Sequence, residues 1–251
     1  MPSVSSSLLP LLGLLAATAL GAAVGLGVRV CSTALIRTLT LSPPFWRCGA
    51  CGASLPFTTW LRAGWGRPRH PDCPAGDQPA GIPVWVLALA TASLFGLAAA
   101  VFGAGLQLVL AWGFTILLLV ISAVDVQRRL ILDRLTYPAM AVGPLFAWLW
   151  PELSLRASFV GGLTALVLFT ALVLIYRRGM GLGDLKLATM IGLYLGWPHV
   201  LAALVAAFLL GGLAAVAILL AGGSRKSTFA YGPVLSAAAI LVLLGSGSPL
   251  E

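Results

Sequence analysis

Hydrophobic residues form eight runs along the chain, separated by short breaks of glycine, proline and charged residues. Most runs approach the roughly 20 apolar residues that a helix needs to cross a bilayer. The pattern therefore predicts an all-α, polytopic membrane protein with about eight transmembrane helices. The predicted helices cover residues 8–28, 82–102, 106–124, 135–150, 157–176, 185–197, 199–221 and 229–246.

The composition supports a membrane protein. Of the 251 residues, 60% are hydrophobic and only 9% are charged, whereas a soluble domain carries about 25% charged residues. The net charge of +8 is spread over short loops and is not gathered into one patch. We therefore expect membrane lipid as a partner and no nucleic acid.

The first hydrophobic run, residues 8–28, has a competing interpretation as a cleavable signal peptide. Small residues near Ala22 would suit a cleavage site. However, no Lys or Arg precedes the run, and its length suffices to span a bilayer. We therefore expect a retained first helix.

Basic residues fall in alternate loops, with Arg156 as the single exception among 15 Lys and Arg. The positive-inside rule places these loops in the cytoplasm and both termini on the opposite side. The predicted organisation is a first transmembrane helix over 1–28, a small cytosolic loop domain over 29–81, and a seven-helix membrane domain over 82–251. Cys31, at the end of the first run, is expected to be a buried packing residue.

Acidic residues are scarce, with only 7 Asp and Glu in the chain. A carboxylate beside hydrocarbon is costly, so each one there needs a reason. Asp125 ends the third run and Asp184 begins the sixth, and the loop charges put both at the cytoplasmic face. Two close carboxylates share a proton, so one can activate water while the other polarises a carbonyl, without a cofactor. The alternative is that each Asp caps a helix or pairs with an Arg.

The segment around Asp184 reads Gly-Leu-Gly-Asp-Leu-Lys at 181–186. Gly181 and Gly183 would allow unusual backbone dihedral angles and close approach of a substrate backbone. Lys186 has two interpretations, as a group that holds a carboxylate or substrate carbonyl, or as a charge that sets the topology. The alternatives remain open at this point.

The sixth run is short. Its 13 residues would make a helix of about 20 Å, against about 30 Å of hydrocarbon. Pro198 hinders a simple continuation of that helix. Non-helical backbone at membrane depth must line protein or water. We therefore expect a wet cleft with Asp184 at its wall.

The segment 181–186 resembles the GxGD signature of the type IV prepilin peptidases, which are aspartic proteases. The segment ending in Asp125 is similar to the family's other catalytic-Asp region, and Tyr-Gly-Pro at 231–233 resembles a short motif near its C-terminus. The resemblance implies that Asp125 and Asp184 are the catalytic pair. For Asp133, which is not usually taken as catalytic, we expect capping of the fourth helix or pairing with Arg.

The resemblance also implies a bacterial inner-membrane endopeptidase with its active site at the cytoplasmic face. Its partners would be prepilin or pseudopilin precursors, whose short leader it removes. The other function considered is a proton-coupled transporter that uses the two acids as a relay. A transporter of this kind should show internal repeats, and none is convincing in this chain.

Many members of that family bind zinc through two CxxC pairs in the cytosolic loop. Here the first pair is intact and the second is not, but a Cys3His set with acceptable spacing remains: Cys48, Cys51, His70 and Cys73. A structural zinc is therefore predicted, with loss of zinc as the alternative. Many members also methylate the new N-terminus with S-adenosylmethionine. This chain departs from the motifs tied to that activity near its first helix and after the loop.

Overall fold

The computed structural model describes residues 4–39, 84–175, 181–220 and 230–247. Every regular element in these ranges is a helix, and eight are present. They are α1 (Val4–Leu39), α2 (Val84–Phe102), α3 (Leu106–Arg128), α4 (Asp133–Leu149), α5 (Leu155–Ile175), α6 (Leu182–Leu195), α7 (His199–Leu220) and α8 (Gly232–Ser246). The predicted all-α class with eight helices is confirmed.

Five of the described helices are long and apolar enough to cross a membrane, so the chain is a multi-pass membrane protein. The spanning segments are Pro10–Ser32, Trp85–Phe102, Leu106–Arg128, Leu155–Ile175 and His199–Ala217. Helices α4, α6 and α8 are shorter, with 17, 14 and 15 residues. Short helices of this kind must meet the polar boundary of the bilayer at one end or lie among other helices.

The first helix differs most from its predicted bounds, because it continues past residue 28 to Leu39. Arg29, at the start of the predicted loop domain, therefore lies within α1 and is only 3% exposed. Cys31 also lies within the helix, and it is exposed. The expectation that Cys31 is a buried packing residue was wrong, since its side chain is exposed on α1.

The chain divides into two compact units. The first contains α1, α2 and the part of α3 from Trp112 to Arg128. Its helices α1 and α2 approach closely at Gly21 and Gly25, where an added Cβ would meet the backbone of α2 at 2.6 and 2.7 Å. Small residues allow such close backbone approach between helices in a membrane.

The second unit contains Gly105–Ala111 and helices α4 to α8. Its tightest contact is between α5 and α6, where a Cβ on Gly192 would lie 2.5 Å from the carbonyl oxygen of Gly161. The Ser158 hydroxyl of α5 donates a 2.6 Å hydrogen bond to the Leu193 carbonyl of α6. The Trp197 N–H, just beyond α6, donates to the Ala157 carbonyl at 2.9 Å. These contacts fix α6 against α5.

Helix α4 packs on another side of α6 through aromatic side chains. The ring centroids of Phe146 and Tyr194 are 4.8 Å apart, and the Tyr194 hydroxyl donates to the Ala139 carbonyl at 3.0 Å. Tyr194 is thus satisfied in the core of the unit. Asp184, near the start of α6, is therefore carried by a helix that α4 and α5 hold close to its C-terminal end.

Candidate active site

Asp184 lies in the first turn of α6, as the third residue of the helix. The N-cap residue is Gly181, which has no side chain with which to cap the helix. The Asp184 N–H donates to the Gly181 carbonyl at 3.1 Å. Asp184 is therefore not the N-cap residue that its helix-capping alternative requires. A carboxylate in the first turn is still favoured by the partial positive charge of the helix N-terminus, which stabilises its ionised form.

The two glycines of the motif have different roles. Gly181 is exposed and has ordinary extended angles, with φ −80° and ψ 144°. Gly183 is helical, and an added Cβ would lie 3.0 Å from the Cβ of Ile131. Neither glycine has a positive φ, so the expected unusual dihedral angles are absent. A larger residue at 183 would crowd Ile131, so the close approach of Ile131 is the physical reason for glycine at this position. A role of either glycine in substrate binding stays a prediction.

Helix α6 is short, as predicted. Its 14 residues span about 21 Å. The helix ends at Gly196, which has a φ of 68° that favours glycine. The wet cleft that we expect beside such a short helix remains a prediction.

Lys186 forms an ion pair with Asp133, the first residue of α4, with 2.7 Å between Nζ and Oδ1. The same Nζ lies 4.9 Å from the centroid of the Tyr137 ring, within the range of a cation–π contact. The N-cap of α4 is Leu132, without a side-chain cap. The expectation that Asp133 caps the fourth helix or pairs with an arginine was therefore wrong. The Asp133 carboxylate pairs with Lys186 of α6, which lies 53 residues later in the chain.

Tyr231 is a residue of this site to which the sequence assigned no function. It immediately precedes α8, and its phenol lies within electrostatic range of the Asp184 carboxylate. The buried hydroxyl has no hydrogen-bond partner among the described residues. The signal in the sequence is the Tyr-Gly-Pro segment at 231–233, which resembles a short motif of the family.

Asp125 lies in the first unit, near the C-terminal end of α3. It is 5% exposed and follows the buried residues Ala123 and Val124. One turn earlier, the Ser122 hydroxyl donates to the Leu118 carbonyl at 2.7 Å. Burial of an acidic side chain in a membrane protein is costly. A catalytic role of Asp125 therefore stays a prediction.

Two predicted site features are not decided by these contacts. Asp125 and Asp184 belong to separately described units, so their action as a pair stays a prediction. The predicted zinc ligands, Cys48, Cys51, His70 and Cys73, lie outside the described residues, as does most of the predicted loop domain. Within the described ranges, no group of three or more His, Cys, Asp or Glu is arranged to hold a metal.

The fold and these positions define a class: a multi-pass membrane protein with a buried acid at the end of one helix and a second acid in the first turn of another. Comparison with known proteins defines it further. Residues 112–216, which include both Asp125 and Asp184, match the description "Type IV leader peptidase family".

Three relatives, all named "Prepilin leader peptidase/N-methyltransferase", illustrate the similarity. The chain is 30% identical to the one from Pseudomonas aeruginosa, over 82% of this chain and 73% of the relative. The chain is 28% identical to the relative from Aeromonas hydrophila, over 78% of this chain and 67% of that relative. It is 30% identical to the relative from Burkholderia pseudomallei, over 68% of this chain and 56% of that relative. The chain thus spans between about half and three quarters of these relatives.

The chain belongs to the type IV leader peptidase family. No solved structure matches it. The family assignment does not favour the transporter alternative, because the relatives are named as peptidases. It agrees with the resemblance that the two Asp segments carry.

Proposed function

We propose that this protein is a membrane aspartic endopeptidase that removes the short leader of prepilin-like precursors. The observation that carries the proposal is Asp184 in the first turn of a short helix, directly after Gly-Leu-Gly. Family membership supports it, since the relatives carry leader peptidase in their names. The second carboxylate of the proposed pair is Asp125, which is buried near the end of α3.

The proposed reaction is hydrolysis of one peptide bond by two carboxyl groups, one ionised and one protonated. The ionised group takes a proton from water, whose oxygen bonds to the scissile carbonyl carbon. The protonated group donates its proton to the carbonyl oxygen. The tetrahedral intermediate then collapses: the first carboxyl group passes its proton to the leaving nitrogen, the C–N bond breaks, and a hydroxyl of the intermediate returns a proton to the second carboxylate as the carbonyl re-forms. One group is then ionised and the other protonated again, as at the start. This chemistry consumes one water and needs no metal or other cofactor.

The substrate of such an enzyme has a short basic leader followed by a hydrophobic helix. The proposed location is the bacterial inner membrane, with the scissile bond at the cytoplasmic face, because the basic loops define that side. The hydrophobic helix of a prepilin or pseudopilin precursor would lie among membrane helices. We expect its basic leader to contact anionic lipid, since the enzyme's own loops are basic.

The test replaces each acid by its uncharged isostere. Asp125→Asn and Asp184→Asn are expected to abolish cleavage of a co-expressed prepilin, followed by the mobility of the precursor on a gel. Glu152→Gln is the matched control, because Glu152 is an exposed acid in the turn between α4 and α5. Full processing by either Asp variant, at normal protein levels, would refute the proposal.

The proposal is limited to proteolysis. N-methylation, which the relatives' names include, would use S-adenosylmethionine, and this chain departs from the motifs tied to it. The mass of the mature pilin N-terminus decides the matter, because methylation adds one methyl group. A product heavier by one methyl group would show that this chain retains the second activity, and an unmethylated product from an active peptidase would show that it does not.

We also propose a structural zinc in the cytosolic loop, held by Cys48, Cys51, His70 and Cys73. The basis is the spacing of these residues in the sequence alone. Metal analysis of purified protein should find about one zinc per chain, as a four-ligand site of this type binds a single ion. The double variant Cys48→Ser/Cys51→Ser should lose it, and Cys31→Ser, at an exposed cysteine of α1, should keep it. Absence of zinc from the unaltered protein would end this proposal.

A further inference from the structure

Tyr231 has a buried hydroxyl group that is unsatisfied among the described residues. A buried polar group without a partner costs about 1–3 kcal/mol. Such a group in a folded protein needs an explanation, and a functional role is one of them. Tyr194 shows the usual arrangement in the same unit, since its hydroxyl donates to the Ala139 carbonyl at 3.0 Å.

The ring of Tyr231 is held in place by α7. A Cβ added to Gly211 would lie 2.9 Å from Cε2 of the ring, so the ring occupies space that any larger residue at 211 would take. On the same helix, the Phe208 ring lies 6.5 Å from the Tyr231 ring, centroid to centroid. The phenol therefore has a defined direction that Gly211 and Phe208 impose.

The charged group whose electrostatic influence reaches the Tyr231 phenol is the carboxylate of Asp184. A phenol is both a donor and an acceptor, whereas an ionised carboxylate only accepts. A hydrogen bond between them can run only from the tyrosine to the ionised aspartate. Bonds of this charge-assisted type are short and strong.

We infer that Tyr231 is a positioning residue for Asp184: its hydroxyl donates to the Asp184 carboxylate when substrate binds and holds that carboxylate in its reacting orientation. Catalytic hydrogen bonds are often long or misaligned without substrate and tighten in the complex. The unsatisfied hydroxyl fits this behaviour. The inference rests on the proposed function, because it gives Asp184 a catalytic role.

Tyr231→Phe removes the hydroxyl and keeps the ring. We expect kcat for prepilin cleavage to fall about 10- to 100-fold, the usual effect of losing a hydrogen bond to a charged group. KM should change little, because the hydroxyl acts on the enzyme's carboxylate and not on the substrate. The melting temperature in detergent should stay the same or rise, because the variant removes an unsatisfied buried group.

Tyr194→Phe is the matched control, since it removes a satisfied hydroxyl from a tyrosine of the same unit. Its melting temperature should fall, with kcat retained below that temperature. If Tyr231 had only a structural role, Tyr231→Phe would behave in the same way as Tyr194→Phe. A Tyr231→Phe variant with unchanged kcat would overturn the inference.

A second pair of variants moves the tyrosine without altering it. Gly211→Ala places a Cβ against the ring, whereas Gly212→Ala adds one where nothing lies within 4 Å. Both change the same helix in the same way. Gly211→Ala should lower kcat and Gly212→Ala should not, and Gly211→Ala should have little further effect on the Tyr231→Phe variant. Equal kcat in the two alanine variants would contradict the inference.

Asp184→Asn separates the two proposals. If this variant cleaves fully, the proposed function fails, and the role of Tyr231 fails with it. If it is inactive while Tyr231→Phe and Gly211→Ala keep full kcat, the proposed function stands and the positioning role alone is refuted.

Discussion

The Nζ atom of Lys186 lies 2.7 Å from the carboxylate of Asp133, and this contact ties the first turns of α6 to the start of α4. Lys186 is two residues from Asp184, so the ion pair acts on the turn that carries the proposed catalytic acid. The lysine side chain is 23% exposed and the acid is 56% exposed. Pairs at such exposure add little to overall stability, and their effect should be local.

The first prediction concerns this pair. Lys186→Ala and Asp133→Ala should each reduce kcat/KM for prepilin cleavage by several fold, and the double variant should match either single one. Residues that act only through each other give this non-additive result. A double-mutant cycle on kcat/KM measures it.

The control for that cycle is Arg134→Ala, an exposed charge next to Asp133 on α4, which should leave kcat/KM unchanged. If Lys186→Ala lowered kcat/KM and Asp133→Ala did not, the lysine would instead act on the substrate. That result would support the substrate-binding role predicted for Lys186 from the sequence.

The second prediction concerns the crossing of α5 and α6. Gly192→Ala would place a Cβ 2.5 Å from the Gly161 carbonyl oxygen, and the backbone of one helix must move to relieve it. The cost should be about 1–3 kcal/mol, as for other overpacked cores. Thermal unfolding in detergent should show a lower midpoint. Gly212→Ala is the control, and an equal midpoint for the two variants would contradict the predicted overpacking.

The third prediction concerns the end of α6. The Ser158 hydroxyl satisfies the Leu193 carbonyl in the last turn of that helix, where carbonyl groups lack donors of their own helix. Ser158→Ala should therefore destabilise the protein by about 1–2 kcal/mol. The comparison is Thr164→Ala, which like Ser158→Ala changes α5. The exposed Thr164 hydroxyl donates to the Val160 carbonyl within α5, so its loss should destabilise the protein less. The reverse order of midpoints would refute this role.

The fourth prediction concerns the first unit. Gly25→Ala would place a Cβ 2.7 Å from the Cα of Ala88, so α1 and α2 would have to separate. Gly27→Ala, two residues later on the same helix, adds a Cβ with no neighbour within 4 Å. We expect a lower unfolding midpoint for the first variant only, by about 1–3 kcal/mol in stability. Equal midpoints would show that the close packing does not contribute.

The number and approximate positions of the helices could be predicted, because the length of a hydrophobic run is a local property of the sequence. The eight helices, the short sixth one and the position of Asp184 at its start were all predicted from the order of residues. The first helix was predicted too short, since charge at Arg29 suggested a loop while burial of Arg29 keeps it within α1.

The sequence by itself determined the class of the protein, its helices and the two acids that the proposed chemistry uses. The length of each apolar run decides whether that segment can span the bilayer, and each charge beside hydrocarbon is costly, so both signals can be read from one segment at a time. Only the tertiary structure decided that Lys186 pairs with Asp133, that Gly183 approaches Ile131, and that the Tyr231 phenol lies within electrostatic range of Asp184. These relationships join residues far apart in the chain, and the packing of helices, which no local pattern encodes, creates them.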